Sequence, residues 1–294
     1  RTTPATMPAS SGGLTEVQEN VPRFFNGGLL IDYTVYNYMP YTSNPSMWTK
    51  FGTGTNVVKS TTIKNILNDD FAWEIIPNNT ASSGVYTTSS TTFSTTSTHV
   101  FSIFVHKPTL IASGQTSLLI GNAAFNGTEN VKVDFANYTS TLPAGFNYGF
   151  ETYGDWVRYW YSGKPINAIK SPFVIYSGTT TGRKFIVDGA MLEIGYSYPS
   201  SYYENKTATN SLRRVDTLDF KEPVLQKCSV YRRYKSYNTT IISHGISDIL
   251  DGVVPLVKPS TSFQGILYEV IVFEKALTTT EKTAFLASKA HLLN

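Results

Sequence analysis

Aromatic residues carry the most distinctive chemistry in this sequence. Its 294 residues include 19 Tyr, 17 Phe and 4 Trp, together 14% of the chain. An aromatic ring can stack on the C–H face of a sugar while neighbouring Asp, Asn, Gln or Arg side chains bind the hydroxyls. Tyr and Trp suit this role because each combines an apolar body with a polar group. The candidates for such stacking are Trp73, Tyr153, Tyr159, Trp160 and Tyr161.

Four of the chain's aromatic residues fall in one strand-like run, residues 156–161. Side chains alternate between the two faces of a strand, so Trp156, Arg158 and Trp160 share one face. Tyr159 and Tyr161 lie on the other face with Val157. Trp73, in the alternating run 71–76, fits a core position and an exposed position equally well.

Catalytic motifs are missing from the sequence. It contains no Gly-x-Ser-x-Gly, His-Glu-x-x-His or phosphate-binding loop. A glycosidase needs two carboxylates that flank the scissile bond, and no pair stands out among the chain's 21 acidic residues. The four histidines lack the spacing of a zinc site. We therefore expect a protein that is not an enzyme and requires no cofactor.

The charge pattern argues against nucleic-acid and membrane partners. Net charge is only +3, and one of the two densest basic clusters, residues 231–235, alternates with tyrosine. Such a cluster could contact phosphate and bases, but the overall charge is far below the usual electrostatic footprint. We favour a solvated strand edge, where charges discourage edge-to-edge pairing. No run approaches the roughly 20 apolar residues of a membrane span, so we expect no membrane insertion.

Short strands separated by turn residues recur from residue 29 to about 220. Tyr, Thr, Val and Ile favour strands, and 21 Gly and 14 Pro punctuate them. The spacing predicts a mostly β fold, an antiparallel sandwich of two sheets. Residues 1–28 show little periodicity and predict an extended arm, which in a multimer can lie on a neighbouring subunit. The predicted strands are 57–63, 71–76, 100–105, 117–120, 130–135, 156–161, 173–176, 185–187 and 190–194.

A Ser/Thr-rich stretch of low complexity spans residues 80–98. This composition fits a disordered segment. It also fits a pair of strands on an exposed face, because Thr favours strands and Val85, Tyr86 and Phe93 offer anchors. We favour the ordered interpretation.

Residues 221–294 predict a small C-terminal β extension that ends in a helix. Residues 230–237 and 263–273 are strand-like, and 245–252 have the character of a loop or short helix. Thr278, followed by Glu281 three residues later, is typical of a capping box at a helix start. Apolar residues at helical spacing then predict a helix over 279–292.

A series of short motifs is spread along residues 1–220. They are Arg1 with Ala5-Thr6, then 20–24 (NVPRF), 28–32 (GLLID), 47–50 (MWTK), 100–107 (VFSIFVHK), 154–158 (GDWVR), 188–195 (DGAMLEIG), 199–202 (PSSY) and 214–216 (RVD). In content and order these motifs resemble a carbohydrate-binding module of phage tail and fibre proteins. The departures are Asp32 where Glu is usual, Val35-Tyr36 where Arg-Thr would fall, and His106 before Lys107.

This resemblance implies a jelly roll over residues 29–220, similar to those attached to polysaccharide-degrading enzymes. It places a packing residue at Trp156, so the exposed pair on that strand is expected to be Tyr159 and Tyr161, with Trp73 as a third sugar-binding candidate. Such jelly rolls often hold a structural Ca²⁺, and Asp188 is the matching ligand position; a turn residue before Gly189 is the alternative. Residues 263–292 resemble the last strand and helix of a concanavalin-A-like or laminin-G-like domain.

Three functions follow as hypotheses from the resemblance. The first is a tail fibre, spike or head fibre on the virion surface of a bacteriophage, a homotrimer that binds bacterial surface glycan for adsorption. The second is a structural virion or decoration protein that uses its aromatic surface to contact other virion proteins. The third, which we favour least, is a glycan depolymerase.

Overall fold

Antiparallel strands make up most of the computed structural model, and helices are few. The predicted mostly β class with a short C-terminal helix is therefore confirmed. The structure describes residues 5–8, 13–17, 24–25, 28–31, 35–52, 54–77, 83–126, 130–169, 172–177, 183–213, 219–224, 228–236, 242–249, 252–255, 265–273 and 276–293.

The strands and helices are numbered in the order of the chain. The strands of the first half are β1 Ala5–Pro8, β2 Leu14–Val17, β3 Phe24–Phe25, β4 Gly28–Ile31, β5 Val35–Asn37, β6 Thr49–Phe51, β7 Asn56–Lys64, β8 Phe71–Ile76, β9 Ser83–Thr88, β10 His99–His106, β11 Ser117–Gly121 and β12 Asn130–Asp134. Those of the second half are β13 Thr139–Ser140, β14 Asn147–Tyr153, β15 Trp156–Gly163, β16 Pro172–Ser177, β17 Phe185–Ile194, β18 Ser211–Arg213, β19 Asp219–Val224, β20 Cys228–Ser236, β21 Ile242–Ile249, β22 Gly252–Pro255 and β23 Gly265–Val272. The α-helices are α1 Lys107–Ala112, α2 Ala123–Asn126 and α3 Thr279–Lys289, with 3₁₀ turns at Pro45–Met47 and Ala290–Leu293.

The chain divides into two compact units whose limits differ from the predicted boundaries at 28 and 220. The sandwich unit comprises Ala5–Glu16 and Val35–Arg213, and the C-terminal unit comprises Arg1–Pro4, Val17–Thr34 and Arg214–Asn294. The strand β4, expected to open the jelly roll, instead pairs with β23 in the C-terminal unit. The boundary between the units therefore depends on pairing between strands far apart in sequence, and the local residue pattern does not encode such pairing.

Two six-stranded antiparallel sheets form the sandwich unit. Sheet A has the order β14-β15-β10-β17-β8-β7, and sheet B has the order β13-β12-β11-β16-β9-β6. The ring of Phe101 on β10 stacks on that of Phe173 on β16, with 4.1 Å between centroids and 9° between planes. Because these rings come from different sheets, the contact places the apolar core between them.

Sheet A is buried on both of its faces along its central strands. All residues of β10 and β15 are buried. Toward sheet B, Val157, Tyr159 and Tyr161 belong to the core. On the opposite face, Trp156 packs against His106 at 5.3 Å, and Trp160 against Tyr198 at 4.7 Å.

The beginning of the chain also packs on the sandwich unit. The amide of Gly13 donates to the Tyr153 carbonyl at 3.0 Å, and that of Leu14 to the Ile66 carbonyl at 2.7 Å. Leu14 is buried. At these residues the expectation of an unpacked arm is wrong, because the peptide groups pair with the chain's own sandwich.

The C-terminal unit is a five-stranded antiparallel sheet, β21-β20-β23-β4-β3, with the pair β19-β22 and α3. Phe285 of α3 meets Tyr231 and Phe273 edge to face, each at 5.1 Å between centroids. Thr278 and Glu281 form the predicted capping box, which is confirmed. The helix ends at Lys289, and a 3₁₀ turn follows to Leu293.

Two predictions for the C-terminal unit are wrong. The basic cluster 231–235 is not a strand edge, because β20 pairs with β21 on one side and β23 on the other. Within the sheet, the Arg233 guanidinium lies 3.5 Å from the Glu269 carboxylate. Residues 245–249 belong to strand β21 rather than to a loop or short helix.

The Ser/Thr-rich stretch is ordered wherever the structure describes it, but it is not an exposed strand pair. Residues 83–88 form β9, whereas 89–98 have no strand. Val85 and Phe93 are both in the core. Apolar anchors thus decide the conformation of this segment more than its Thr content does.

Candidate functional site

Tyr159 and Tyr161, predicted as an exposed sugar-stacking pair, are buried. Their exposed fractions are 0% and 1%, and they pack against one another at 6.0 Å within the core. The Tyr159 hydroxyl is 2.7 Å from that of Ser140, and burial raises the pKa of Tyr159 well above 10. The prediction of exposure is wrong because neither face of β15 is open to solvent, so these rings cannot stack on a ligand.

Trp73, the third candidate, lies in a cleft at the edge of the sandwich unit. It is half-buried on β8 and opposes Lys59 of β7, the edge strand of sheet A. The cleft holds about 340 Å³, at the small end of ligand-binding pockets. Its lining is formed by Tyr41, Ser43, Asn44, Lys59, Asn65, Asp69, Asp70, Phe71, Trp73, Glu204, Asn205 and Lys206.

One wall of the cleft is the β7–β8 hairpin. The Lys59 ammonium donates to Asp70 at 2.6 Å and sits 5.8 Å from the centre of the Trp73 ring. The hydrogen bond from Lys59, together with one from the Phe71 amide, lowers the pKa of Asp70. The ion pair of Lys59 and Asp70 therefore lies beside the Trp73 ring, and both members of the pair line the cleft.

The turn that joins β7 to β8 is organised by Asn65. Its amide nitrogen donates to Asp69 at 2.6 Å, and its amide oxygen accepts from the backbone of Asp69 at 3.2 Å. Asn68 occupies the left-handed region, at φ 62°, which Asn tolerates better than most residues. The carboxylates of Asp69 and Asp70 are thereby held at the mouth of the cleft.

The opposite wall combines residues 41–44 and 204–206. The Asn205 amide nitrogen donates to the Met39 carbonyl at 2.8 Å, and its backbone amide donates to the Thr42 hydroxyl at 2.9 Å. Tyr41 has a φ of 48°, unusual for a bulky residue. Three aromatic residues, Tyr41, Phe71 and Trp73, thus line a recess whose other lining residues are Ser43, three asparagines, three acidic residues and two lysines.

Asp188, the predicted calcium position, is buried beneath this cleft wall in a set of hydrogen-bond donors. One carboxylate oxygen accepts from the Ile66 amide at 2.8 Å, and the other from the Gly189 amide at 2.7 Å. Burial raises the pKa of Asp188 to about 6 against the opposing effect of these bonds. The turn-residue alternative is wrong, because Asp188 and Gly189 lie within strand β17, where its pairing with β10 is irregular.

Calcium fits these surroundings poorly. The ion takes six to eight oxygen ligands, but Asp188 points its oxygens at N–H groups. Across the described ranges, no three His, Cys, Asp or Glu side chains gather as a metal-binding group. Calcium at Asp188 stays a prediction, and no step below depends on it.

A second recess of about 270 Å³ lies near the start of α1, lined in part by His106, Asp155 and Trp156. The His106 ring nitrogen Nδ1 is 2.8 Å from the Thr109 hydroxyl, and the ring caps α1. Burial lowers the pKa of His106, although Asp155 at 4.0 Å acts the other way. These contacts show that the His106 side chain caps the start of helix α1.

Sequence reasoning found Trp73 but missed most of its partners. Tyr41 and Lys59 reach the cleft from earlier segments, and residues 204–206 come from a segment more than a hundred residues after Trp73. One local signal was available, since Asn65 and the pair Asp69-Asp70 between two strands indicate a polar turn.

Two comparisons with known proteins were negative. No protein-family model matches the chain, and a search of curated proteins finds no match. Among the helices that the structure describes, none is long and apolar enough to cross a bilayer.

Proposed function

We propose that the chain is a glycan-binding protein of a bacteriophage virion surface, a tail fibre, spike or head fibre, which recognises bacterial polysaccharide through the Trp73 cleft. Its sandwich unit would be the carbohydrate-binding jelly roll. The cleft carries the proposal, because it places an aromatic ring beside fixed hydrogen-bonding groups in a recess of ligand size.

The lining matches what a sugar requires. Trp73 and Tyr41 supply apolar surface for C–H faces, and Asp69, Asp70 and Asn65 supply acceptors and donors for hydroxyls. Hydrogen bonds within each wall hold these groups in place, so a ligand loses little free energy to ordering them. Two lysines and three carboxylates nearly balance in charge, which suits a neutral or weakly charged sugar.

The remaining parts of the proposal follow from the resemblance in sequence. The chain would form a homotrimer with other virion proteins as neighbours, and three clefts would compensate for weak affinity at each one. No catalytic role is proposed.

Glycan-array binding of the full chain, followed by calorimetry with the best oligosaccharide, tests the cleft. Trp73→Ala should weaken binding about tenfold, which corresponds to roughly 1.4 kcal/mol. Because Trp73 also packs on the core, Asp70→Asn provides a second variant that leaves the core intact, and it should weaken binding severalfold. Tyr36→Ala, at a ring that is 43% exposed outside the cleft, is the matched control.

Two results would overturn the proposal. One is a folded wild-type chain that binds no glycan and no bacterial cell, which would favour the structural virion role. The other is binding that both cleft variants leave unchanged. Incubation with the bound polysaccharide, followed by sizing of its chains, separates binding from depolymerisation.

A further inference from the structure

We propose a second glycan-contact site at the other edge of the sandwich unit, formed by Tyr138, Tyr148 and Phe150 with Lys107 and specific for an anionic sugar. We call it the tyrosine edge. The inference rests on the proposed glycan-binding function but not on the Trp73 cleft. The edge strands of sheet A are β7, beside that cleft, and β14, which carries Tyr148 and Phe150.

The tyrosine edge is an aromatic cluster that extends from the core to the surface. Phe150 packs on Tyr159 at 5.2 Å and on Phe135 at 5.9 Å, which anchors it. Tyr138 and Tyr148 meet the same Phe150 ring edge to face, at 5.4 and 6.1 Å. Both tyrosines stay substantially exposed, at 39% and 40%. Two exposed rings thus share one rigid base, so one short ligand segment can contact both.

Tyr138 adopts a conformation that its residue type disfavours. Its φ is 56°, in the left-handed region where Gly, Asn and Asp are usual. The preceding turn is held by Asp134, which accepts from the amides of Ala136 at 2.8 Å and Asn137 at 3.0 Å. Strained residues of this kind cluster at binding sites. A glycine would adopt this φ without the strain that the tyrosine side chain brings.

Lys107 gives the tyrosine edge its charge. Its ammonium donates to the Tyr138 hydroxyl at 2.9 Å and lies 4.2 Å from the centre of that ring. Among the residues that the structure describes, no carboxylate pairs with this ammonium. The Tyr138 hydroxyl is also hydrogen-bonded to the Thr152 side chain, so two partners hold the ring in place. The Lys107 ammonium beside two exposed rings suits a sugar that carries a carboxylate or phosphate.

The rim of the tyrosine edge is polar. Thr139 and Asn147 are exposed and adjacent in sequence to Tyr138 and Tyr148, whereas the exposed side chains of Asn137 and Thr141 bond to Asp134 and Lys132. The hydroxyl of Thr139 and the amide of Asn147 can bind sugar hydroxyls, whereas a surface made for protein contact has an apolar centre that excludes water. The surroundings therefore favour a glycan over a protein partner.

Binding of the full chain to alginate, a polymer of uronic acids, and to neutral dextran at low and high salt tests this site. Tyr148→Ala and Lys107→Met should each weaken alginate binding roughly two- to fivefold, as expected for one exposed ring or cation contact. Tyr138→Asn, which keeps a residue tolerant of positive φ, should do the same. Lys107→Met should also reduce the salt dependence of binding.

Tyr36→Ala, at an exposed ring outside both sites, is the matched control and should retain alginate binding. If the tyrosine-edge variants bind alginate like the wild type, the inference is wrong. A wild-type chain that binds neutral glycan through Trp73 but no alginate overturns the tyrosine edge and leaves the proposed function standing. A change of oligomeric state in Tyr148→Ala, measured by sedimentation, would reassign the edge to subunit contact.

Discussion

Replacement of Asp188 by Asn should change how the stability of the sandwich unit depends on pH. Burial raises the pKa of Asp188 to about 6 in the folded protein, whereas an unfolded aspartate titrates near 3.9. Between these values the folded state holds a proton that the unfolded state has lost. The free energy of unfolding therefore falls as pH rises through this window, and it is highest, for this group, below about pH 4.

The size of the effect follows from the two pKa values. A difference of about two units corresponds to roughly 3 kcal/mol of stability lost between pH 4 and 7. The asparagine variant cannot ionise, so it lacks this loss. It carries a constant cost of about 1–3 kcal/mol instead, because its amide nitrogen must face the N–H of either Ile66 or Gly189. The variant is thus expected to be less stable than wild type at pH 4 and similar to it at pH 7.

Urea unfolding followed by tryptophan fluorescence at several pH values provides the measurement. All four tryptophans lie in the sandwich unit, so the signal reports that unit alone. Burial lowers the pKa of His99 and of His106, which opposes the trend of Asp188, so the difference between wild type and variant is the quantity to compare. Asp69→Asn removes the same charge from an exposed position and is the control.

A wild-type-minus-variant difference that stays constant from pH 4 to 7 would refute this account of Asp188. The same titrations with excess Ca²⁺ or a chelator test the metal. If Asp188 binds calcium, Ca²⁺ should stabilise the wild type and not the variant.

Two further substitutions test the packing of each unit. Gly189→Ala should destabilise the sandwich unit by roughly 2–4 kcal/mol in urea unfolding, because a Cβ at φ 59° would lie 2.7 Å from the Phe104 ring. Gly114→Ala, at φ 74° with open space around it, should show only the backbone cost of about 1–2 kcal/mol, and equal effects would contradict the clash. Thr278→Ala should remove the capping box and destabilise α3 by about 1 kcal/mol, seen as hydrogen exchange roughly fivefold faster in its amides. Thr280→Ala, on an exposed site in the same first turn, should leave the exchange nearly unchanged.

Local sequence predicts the positions of the main strands well. Alternation and turn residues located β7, β8, β10 and β15 close to their observed limits, whereas β17 was predicted as two strands, 185–187 and 190–194. Alternation also grouped the side chains of β15 correctly into two sets. It could not say which set faces the core, because the strand is buried on both sides and each set contains two aromatic residues.

The candidate site was predicted only in part, because the residues that form it lie far apart in the sequence. Trp73 was identifiable as an aromatic residue on a strand. Tyr41 and Asn205 reach its cleft through pairing that no local pattern contains, such as the bond from Asn205 to Met39. The tyrosine edge was missed because Tyr138 lies in a turn, and its left-handed φ is visible only in the structure.

The bonds that close the sandwich unit set limits on its synthesis as well as its stability. Leu192 donates to Asn37, and Asn205 binds Thr42, across 155 and 163 residues. These contacts cannot form until residue 205 has left the ribosome, and at about 5–20 residues per second the chain from residue 42 to residue 205 takes roughly 8–33 seconds to make. Folds dominated by such non-local pairs also fold slowly. During that interval the Tyr- and Phe-rich strands are open to association with other nascent chains, so the yield of folded protein is expected to fall when many chains are translated close together.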